Sequence, residues 1–327
     1  MHSYSLAIDR RSGFGAMRWL AAICVLVLPA AVSLAAPASI ALPGNRAFPE
    51  SVSSTKDGTI YAGSIVAGGV VRVGKQGAAE LWIKPGAFGS ASILGVLADE
   101  RTHTLWVCSN NYSSYGVEVP GALPGSALLG FDLASGEGKI RLPLPSNPSS
   151  CNDIAIAPDG AICITNSETP EILRLAPGAK QLEIWFTEPS LKPAPAGSGL
   201  DGIAFGSDGH AYISHYDAGD LYRIEVANNK AGKLTKLRPS RALVLPDAIR
   251  LLHGNSFLLV EGGGRLNTMT IDGDSASILT LKEGLDTPTS VTTVGDTAWV
   301  SEGQLEHLLE PAKARLPFQL FSVPIPK

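Results

Sequence analysis

The stretch Asn152-Asp-Ile-Ala-Ile-Ala-Pro-Asp159-Gly160-Ala-Ile-Cys-Ile-Thr-Asn166 decides the fold, because it returns as Asp201-Gly-Ile-Ala-Phe-Gly-Ser-Asp208-Gly209-His-Ala-Tyr-Ile-Ser-His215. Each copy holds an alternating apolar strand, an Asp-Gly turn and a second alternating strand. Asp-Gly between two such strands predicts a tight hairpin, since glycine adopts the positive φ that the turn demands. A third strand follows in both copies, Glu171-Ile-Leu-Arg-Leu and Asp220-Leu-Tyr-Arg-Ile-Glu.

Working outward, the same pattern recurs along the chain. Glu50-Ser-Val-Ser-Ser-Thr-Lys-Asp57-Gly58-Thr-Ile-Tyr-Ala-Gly-Ser64 leads to Gly69-Val-Val-Arg-Val, and Asp247 to Glu261 leads to Gly264-Arg-Leu-Asn-Thr-Met. Thr289 to Ser301 is the last copy. The most degenerate runs from Leu94 through His103 to Cys108, with a third strand near Leu128-Leu-Gly-Phe-Asp. Six units of roughly 40 to 50 residues predict an all-β six-bladed β-propeller, with four-stranded antiparallel blades around a central channel. A pair of β-sandwiches would not explain the recurrence. The N-terminal Ser39-Ile-Ala-Leu segment is expected to add a strand to blade six and close the ring. Residues 305–315 have room for one helical turn or two.

Composition agrees with one large all-β domain. Of 327 residues only 17% are charged, while Gly numbers 35 and Pro 23, as short strands joined by tight turns require. Residues 1–36 read separately, as a secretory signal peptide. Arg10, Arg11 and Arg18 flank an apolar run from Trp19 to Leu34, and small residues at Ser33, Ala35 and Ala36 precede Pro37. The run is short for a membrane span of ~20 residues; a retained N-terminal anchor is the alternative. The expected mature propeller is 37–327, exported to the periplasm or secreted, with no membrane span of its own.

The whole chain carries a formal charge of −4, and losing residues 1–36 removes three Arg and one Asp, leaving it more acidic. No basic run remains, so nucleic acid is excluded as a partner. Cys108, Cys151 and Cys163 form no C-x-x-C pair, which argues against a thiolate zinc site. Neighbouring blades bring Cys108 and Cys151 to one face, so a disulfide between them is one reading and free thiols the other. Cys163 points inward as a core thiol. No G-x-S-x-G elbow is present.

In a propeller, the first residue of each repeat and the end of its second strand meet at one mouth of the channel. The first residues are Glu50, Leu94, Asn152, Asp201, Asp247 and Thr289; the second-strand ends include Ser109, Asn110, Asn166, His215, Glu261 and Glu302. Three carboxylates and a carboxamide thus ring one mouth. Crowded like charges need compensation, and oxygen ligands suit Ca²⁺ first, with Mg²⁺, Mn²⁺ or Zn²⁺ as alternatives. The competing reading is that these side chains only cap strand starts. Asn152, Asn110, Asn166 and His215 are candidate substrate contacts. His215 has a plainer reading as a rim histidine bonded to a nearby loop. The turn aspartates Asp57, Asp159 and Asp208 belong to the opposite end and read as structural. The segment Asn110-Asn-Tyr-Ser-Ser-Tyr115, continuing to Pro124, is the longest insertion and reads as a loop over the mouth.

The order Glu50, Asn152, Asp201, Asp247, with Gly262-Gly-Gly-Arg-Leu266 after the fifth hairpin, resembles the regucalcin/gluconolactonase family of six-bladed propellers. The resemblance spans roughly 45–325 on a few residues per blade. It implies one divalent ion held by Glu50, Asp201 and Asp247, with Asn152 on metal-bound water or substrate and Asp247 as general base. It further implies hydrolysis of a lactone or related ester. The family's Glu-Gly-Pro-x-Trp opening is Glu50-Ser-Val-Ser-Ser54 here, its sugar-contacting Arg is Ser150, and its fourth-blade Asn is Asp201. A sugar substrate therefore has less to hold it. The alternative class is a non-catalytic propeller that binds a ligand or a protein partner at the mouth.

Overall fold

The computed structural model describes residues 37–195 and 197–326; the signal segment proposed for 1–36 lies outside the described residues. Six antiparallel sheets follow one another along the chain, four strands each except the fifth, which gains a two-residue strand at Arg238–Pro239. The stretch that decided the fold forms the inner hairpin of blade three, Cys151–Ile156 and Ile162–Asn166. Its second copy forms that of blade four, Leu200–Phe205 and Ala211–His215. The other inner strands are Pro49–Ser54, Ser92–Asp99, Pro246–His253 and Pro288–Val294. Each inner strand packs against the inner strands of both neighbouring blades, so the six close a ring around the channel.

The sequence dictates this locally. In the Asp-Gly turns, Gly58, Gly160 and Gly209 have φ of +90°, +88° and +79°, a region that side chains other than glycine's rarely enter. The preceding aspartates accept the backbone N–H two residues on: Asp57 from Thr59 at 3.1 Å, Asp159 from Ala161 at 3.2 Å and Asp208 from His210 at 3.0 Å. Their expected structural role is thereby met. Between blades the core is aliphatic and aromatic; Ile172, Ile203, Ile213 and Ile224 are buried together between blades three and four. The outermost strand of blade four, Lys230–Lys236, is largely polar and Lys-rich, which keeps that edge from pairing with another chain.

The ring closes as expected. Ser39–Ala41 pairs antiparallel with Gln319–Pro324 as the outer strand of blade six. Residues 305–313 hold two short 3-10 turns, Leu305–His307 and Pro311–Lys313. Cys108 and Cys151 form a disulfide that ties blade two to blade three, and Cys163 is a free, buried thiol. Among the described residues no helix is long and apolar enough to cross a membrane.

One feature was not visible in the repeat. Every inner strand carries one residue more than its partner near its start. Pairing passes from Pro49↔Ser64 to Val52↔Ala62, from Ile93↔Ser109 to Val96↔Val107 and from Cys151↔Asn166 to Ile154↔Ile164. It passes likewise from Leu200↔His215 to Ile203↔Ile213, Pro246↔Glu261 to Ile249↔Leu259, and Pro288↔Glu302 to Ser290↔Ser301. This is a β-bulge repeated six times, and a bulge bends its strand and re-aims a side chain. The first residue to fall in each bulge is Glu50, Leu94, Asn152, Asp201, Asp247 or Thr289, the six first residues of the repeat. Gly202, beside Asp201, shows how tightly the ring is drawn: a Cβ there would meet the Asp247 carbonyl oxygen at 2.3 Å and Ile249 N at 2.7 Å.

Candidate functional site

The bulges of blades one, three, four, five and six line one tight crevice with no room for a water-sized sphere, walled by Glu50, Asn152, Asp201, Asp247 and Thr289 with their neighbours Ser51, Asp153, Ala248 and Ser290. The structure thus brings together the expected acidic set with Asn152. Each of these four side chains is buried. Asn152 Nδ2 donates to Asp201 Oδ2 at 3.2 Å and to Ser167 Oγ at 2.7 Å. The Asp201 and Asp247 carboxyls are in hydrogen-bond contact, which needs a proton or a cation between them. Asp201 Oδ1 is buried with no donor opposite it.

Burial is the main reason these acids hold their protons. It pushes the Asp201 carboxyl up to about 7, with Asp153 adding to the rise and the bonds to Asp247 and Asn152 opposing it. Burial, then the charges of Asp201 and Asp153, raises Glu50 well above the usual carboxylate range. Burial, then Asp201 and Glu50, raises Asp247 in the same way. Tyr216 also feels the ring: burial and the Asp247 and Asp201 charges push its hydroxyl up, so it stays protonated.

Beneath the acids lies an ion pair that the sequence reading missed. Asp153 shares the blade-three bulge with Asn152 and meets Arg250, three residues beyond Asp247, in a bidentate pair of 2.6 and 2.8 Å. Asp153 Oδ2 also accepts Ile203 N–H at 3.0 Å, and Arg250 reaches Ser290 Oγ at 3.4 Å. Burial alone would lower the Arg250 guanidinium, but Asp153, Glu50 and Asp247 together hold it above its usual value. A charged residue in an otherwise apolar inner strand was the available signal, because such a charge is almost never buried without a partner. Arg250 compensates one carboxylate and leaves Glu50, Asp201 and Asp247 in excess.

Three hydroxyls fix the backbone of the three acids. Thr165 Oγ1 accepts Asp153 N–H at 3.0 Å and donates to the Asp201 carbonyl at 2.5 Å. Ser214 Oγ accepts Gly202 N–H at 2.7 Å and donates to the Asp247 carbonyl at 2.8 Å. Ser301 Oγ accepts Ser290 N–H at 2.9 Å and reaches the Glu50 carbonyl at 3.4 Å. In blades three, four and six a hydroxyl on the second strand takes a backbone N–H at the bulge and clamps the acid of the next blade. Nothing in the sequence sets Ser214 and Ser301 apart from other serines at strand ends.

The second-strand ends hold backbone groups. Asn110 binds the Cys151 backbone twice, N–H to Oδ1 and Nδ2–H to carbonyl, both at 2.8 Å. Asn166 Oδ1 accepts Ser150 N–H at 2.9 Å and Glu168 N–H at 3.2 Å. Glu261 accepts Val244 N–H at 2.7 Å and pairs with Arg241, and Glu302 accepts Asp286 N–H at 2.8 Å. His215 is buried, its Nδ1 accepting Ala218 N–H at 3.4 Å, and lines neither the acidic space nor the mouth above it. Each staples the loop that enters or leaves its blade. Loop N–H groups in search of acceptors are what a sequence does not display.

Above the acids opens a cavity of ≈ 1330 Å³. Asn152 lines both spaces and marks where they join. The insertion after Asn110 forms one wall, as expected. Its Tyr112 hydroxyl meets Ser150 Oγ at 2.5 Å, so that serine is already engaged. Burial pushes the Tyr112 hydroxyl up, and it remains protonated. Among the described residues no three His, Cys, Asp or Glu side chains are drawn together as a ready metal cage. What the site offers is the Asp201–Asp247 contact with its donorless oxygen, flanked by Glu50 and Asn152. This hard-oxygen set fits a divalent cation of the Ca²⁺ or Mg²⁺ kind.

No protein-family model matches the chain, and no curated protein matches it in sequence. Solved structures match it in fold. A gluconolactonase from Xanthomonas campestris superposes with a TM-score of 0.63 at 16% identity, covering 86% of each chain. The virginiamycin B lyase of Staphylococcus aureus gives 0.59 at 16% identity, over 87% of this chain and 83% of the lyase. The major allergen Mala s 1 of Malassezia sympodialis gives 0.65 at 13%, over 88% and 96%. At such identities the likeness is one of fold.

Proposed function

We propose that this protein is an exported, divalent-cation-dependent hydrolase of a lactone or related ester, acting where the acidic space meets the mouth cavity. The observation that carries the reading is the buried Asp201–Asp247 contact, whose donorless oxygen calls for a positive charge. Glu50, Asp201 and Asp247 would hold the cation, Ca²⁺ first among the candidates. When bound, such an ion polarises a carbonyl and acidifies a water.

The chain's own residues supply the rest. Asn152, whose Nδ2 is spent on Ser167 and Asp201, has its Oδ1 left to accept at the junction of the two spaces and orients the attacking water. Asp247, ionised once the cation replaces its proton, takes a proton from the attacking water on a carboxylate oxygen. Such general-base transfer is worth typically ~10²–10⁴-fold. The Thr165, Ser214 and Ser301 clamps keep the three acids from moving apart as charge develops.

The deciding experiment is calorimetric titration of the chelator-stripped protein with Ca²⁺, Mg²⁺, Mn²⁺ and Zn²⁺, beside Asp247→Asn, together with a lactone and ester screen. One stoichiometric site, lost in Asp247→Asn, and activity that chelation abolishes are expected. Lactone hydrolysis that survives chelation would falsify the cation mechanism. A second reading, a propeller that binds a ligand without turning it over, draws on the absence of a preassembled cage among the described residues. It predicts ligand binding at the mouth with no turnover at any cation concentration.

A further inference from the structure

The walls of the mouth cavity are apolar. Ile65, Leu94 and Val117 are buried in its sides, and Leu305, Leu308 and Tyr112 complete them. At the rim Tyr115 and Leu309 stand 62% and 70% exposed on two segments that meet there: a Cβ on Gly116 would lie 3.8 Å from Leu309 Cδ2. Large apolar side chains left in water around one concavity mark a ligand-binding surface. Pockets for drug-sized ligands run about 300–1,000 Å³, and this cavity is larger, ≈ 1330 Å³.

The polar groups on its floor are already engaged. Ser150 is held by Tyr112, and Ser167 donates to the Leu200 carbonyl at 2.7 Å while accepting from Asn152. A polyhydroxylated ligand would find neither of these hydroxyls open, and burying its own hydroxyls against the apolar walls without partners is costly. Charge selects as well. Glu168 and Glu306 line the cavity against the single cation Lys192, and the acidic ring lies beneath. Free carboxylates and phosphates are thus disfavoured. Blade two contributes to the same choice, because its bulge residue is Leu94, which faces the cavity where other blades carry acids or an amide.

We infer that the ligand is an uncharged lactone or ester with a long apolar tail, the head at Asn152 and the acids, the tail along the Tyr112–Val117 and Leu305–Leu309 walls. This rests on the hydrolase reading for the head group, but the tail site is a separate claim. The test uses γ-lactones with unbranched alkyl tails of increasing length, beside gluconolactone as the polyhydroxylated probe. Binding by calorimetry and turnover by proton release are measured for the cation-loaded wild type, Asp247→Asn and Leu308→Glu. Unfolding midpoints check that the variants fold.

Each buried methylene tightens an apolar ligand about two- to fourfold. Binding is expected to tighten by that factor per carbon in wild type and in Asp247→Asn, and the dependence to flatten in Leu308→Glu. Tail-dependent binding with no turnover in wild type would uphold the tail site and overturn the hydrolase reading. Turnover with no dependence on tail length, or gluconolactone bound as tightly as the longest alkyl lactone, would overturn the tail site and leave the hydrolase reading standing. Failure of every probe to bind overturns the tail site.

Discussion

At the turn end of blade one, Asp57 has Thr55 Oγ1 at 2.6 Å, Thr59 N–H at 3.1 Å and Lys75 Nζ at 3.3 Å. At the channel end of blade five, Asp247 has another carboxyl in contact, Glu50 nearby and burial on all sides. The same residue type thus stands at opposite ends of the same kind of hairpin with opposite electrostatics. Hydrogen bonds hold Asp57 well below the usual carboxylate range, whereas burial and like charge hold Asp247 well above it. Asp153, an immediate neighbour of the ring, has the donors that Asp247 lacks, a bidentate Arg250 and the Ile203 N–H. Supply of donors, more than residue identity or burial, separates an acid that serves the fold from one left free for chemistry.

The strongest way to break this comparison is at Asp247 itself. Under the hydrolase reading, Asp247→Asn lowers kcat by about 10²–10⁴ with little loss of stability, since it removes a like charge; steady-state kinetics beside urea unfolding checks both. Arg250→Met makes a paired carboxylate resemble an unpaired one. It leaves Asp153 buried without its cation and is expected to cost about 3–5 kcal/mol in urea unfolding; a cost under 1 kcal/mol would mean that Asp153 takes up a proton freely.

The pH dependence should carry opposite signs at the two ends. Without a cation, the stability linked to Glu50, Asp201 and Asp247 is fully present below pH ~4. It is lost as pH rises through their raised values, about 7 for Asp201. The stability linked to Asp57 is present above that range and is lost as pH falls towards its lowered value. Unfolding midpoints across pH 4 to 8 should therefore fall on the neutral side for the chelated protein. Ca²⁺ at a hundred times its Kd should restore about 2.7 kcal/mol there. Ser214→Ala, which strands Gly202 N–H and the Asp247 carbonyl, costs about 1–3 kcal/mol and weakens cation binding in the same titration. Asp57→Asn keeps the turn's hydrogen bonds, so it costs less than about 1 kcal/mol and leaves cation binding unchanged.

How much of this was legible in the sequence follows from the same contrast. Turn chemistry is local: Asp159-Gly160 and Asp208-Gly209 carry their structure in two residues, and with the alternating strands they made the propeller readable. The acids were legible as a set because a repeat fixes where its first residues converge. The bulge was not, since one extra residue per strand alters no alternation that a reader would count; only Gly95 and Gly202, small residues inside inner strands, hinted at close backbone approach. Asn110, Asn166 and His215 stand out in sequence as polar residues at the mouth, but the partners they find are backbone groups, from Ala218 three residues beyond His215 to Cys151 in the next blade from Asn110. Arg250 and Asp153 lie far apart in the chain and meet only across the channel.

The sixfold bulge also has an evolutionary consequence. Its extra residue has no rung of its own in the ladder, so replacing that residue leaves the pairing of the blade untouched. The propeller therefore offers six interchangeable sockets around one axis. Here four hold Glu50, Asn152, Asp201 and Asp247, while Leu94 and Thr289 fill the others. Chemistry can be rewritten one socket at a time without altering the strand pairing of any blade. A ring built in this way can drift between a reactive mouth and an inert one without ever passing through an unfolded ancestor.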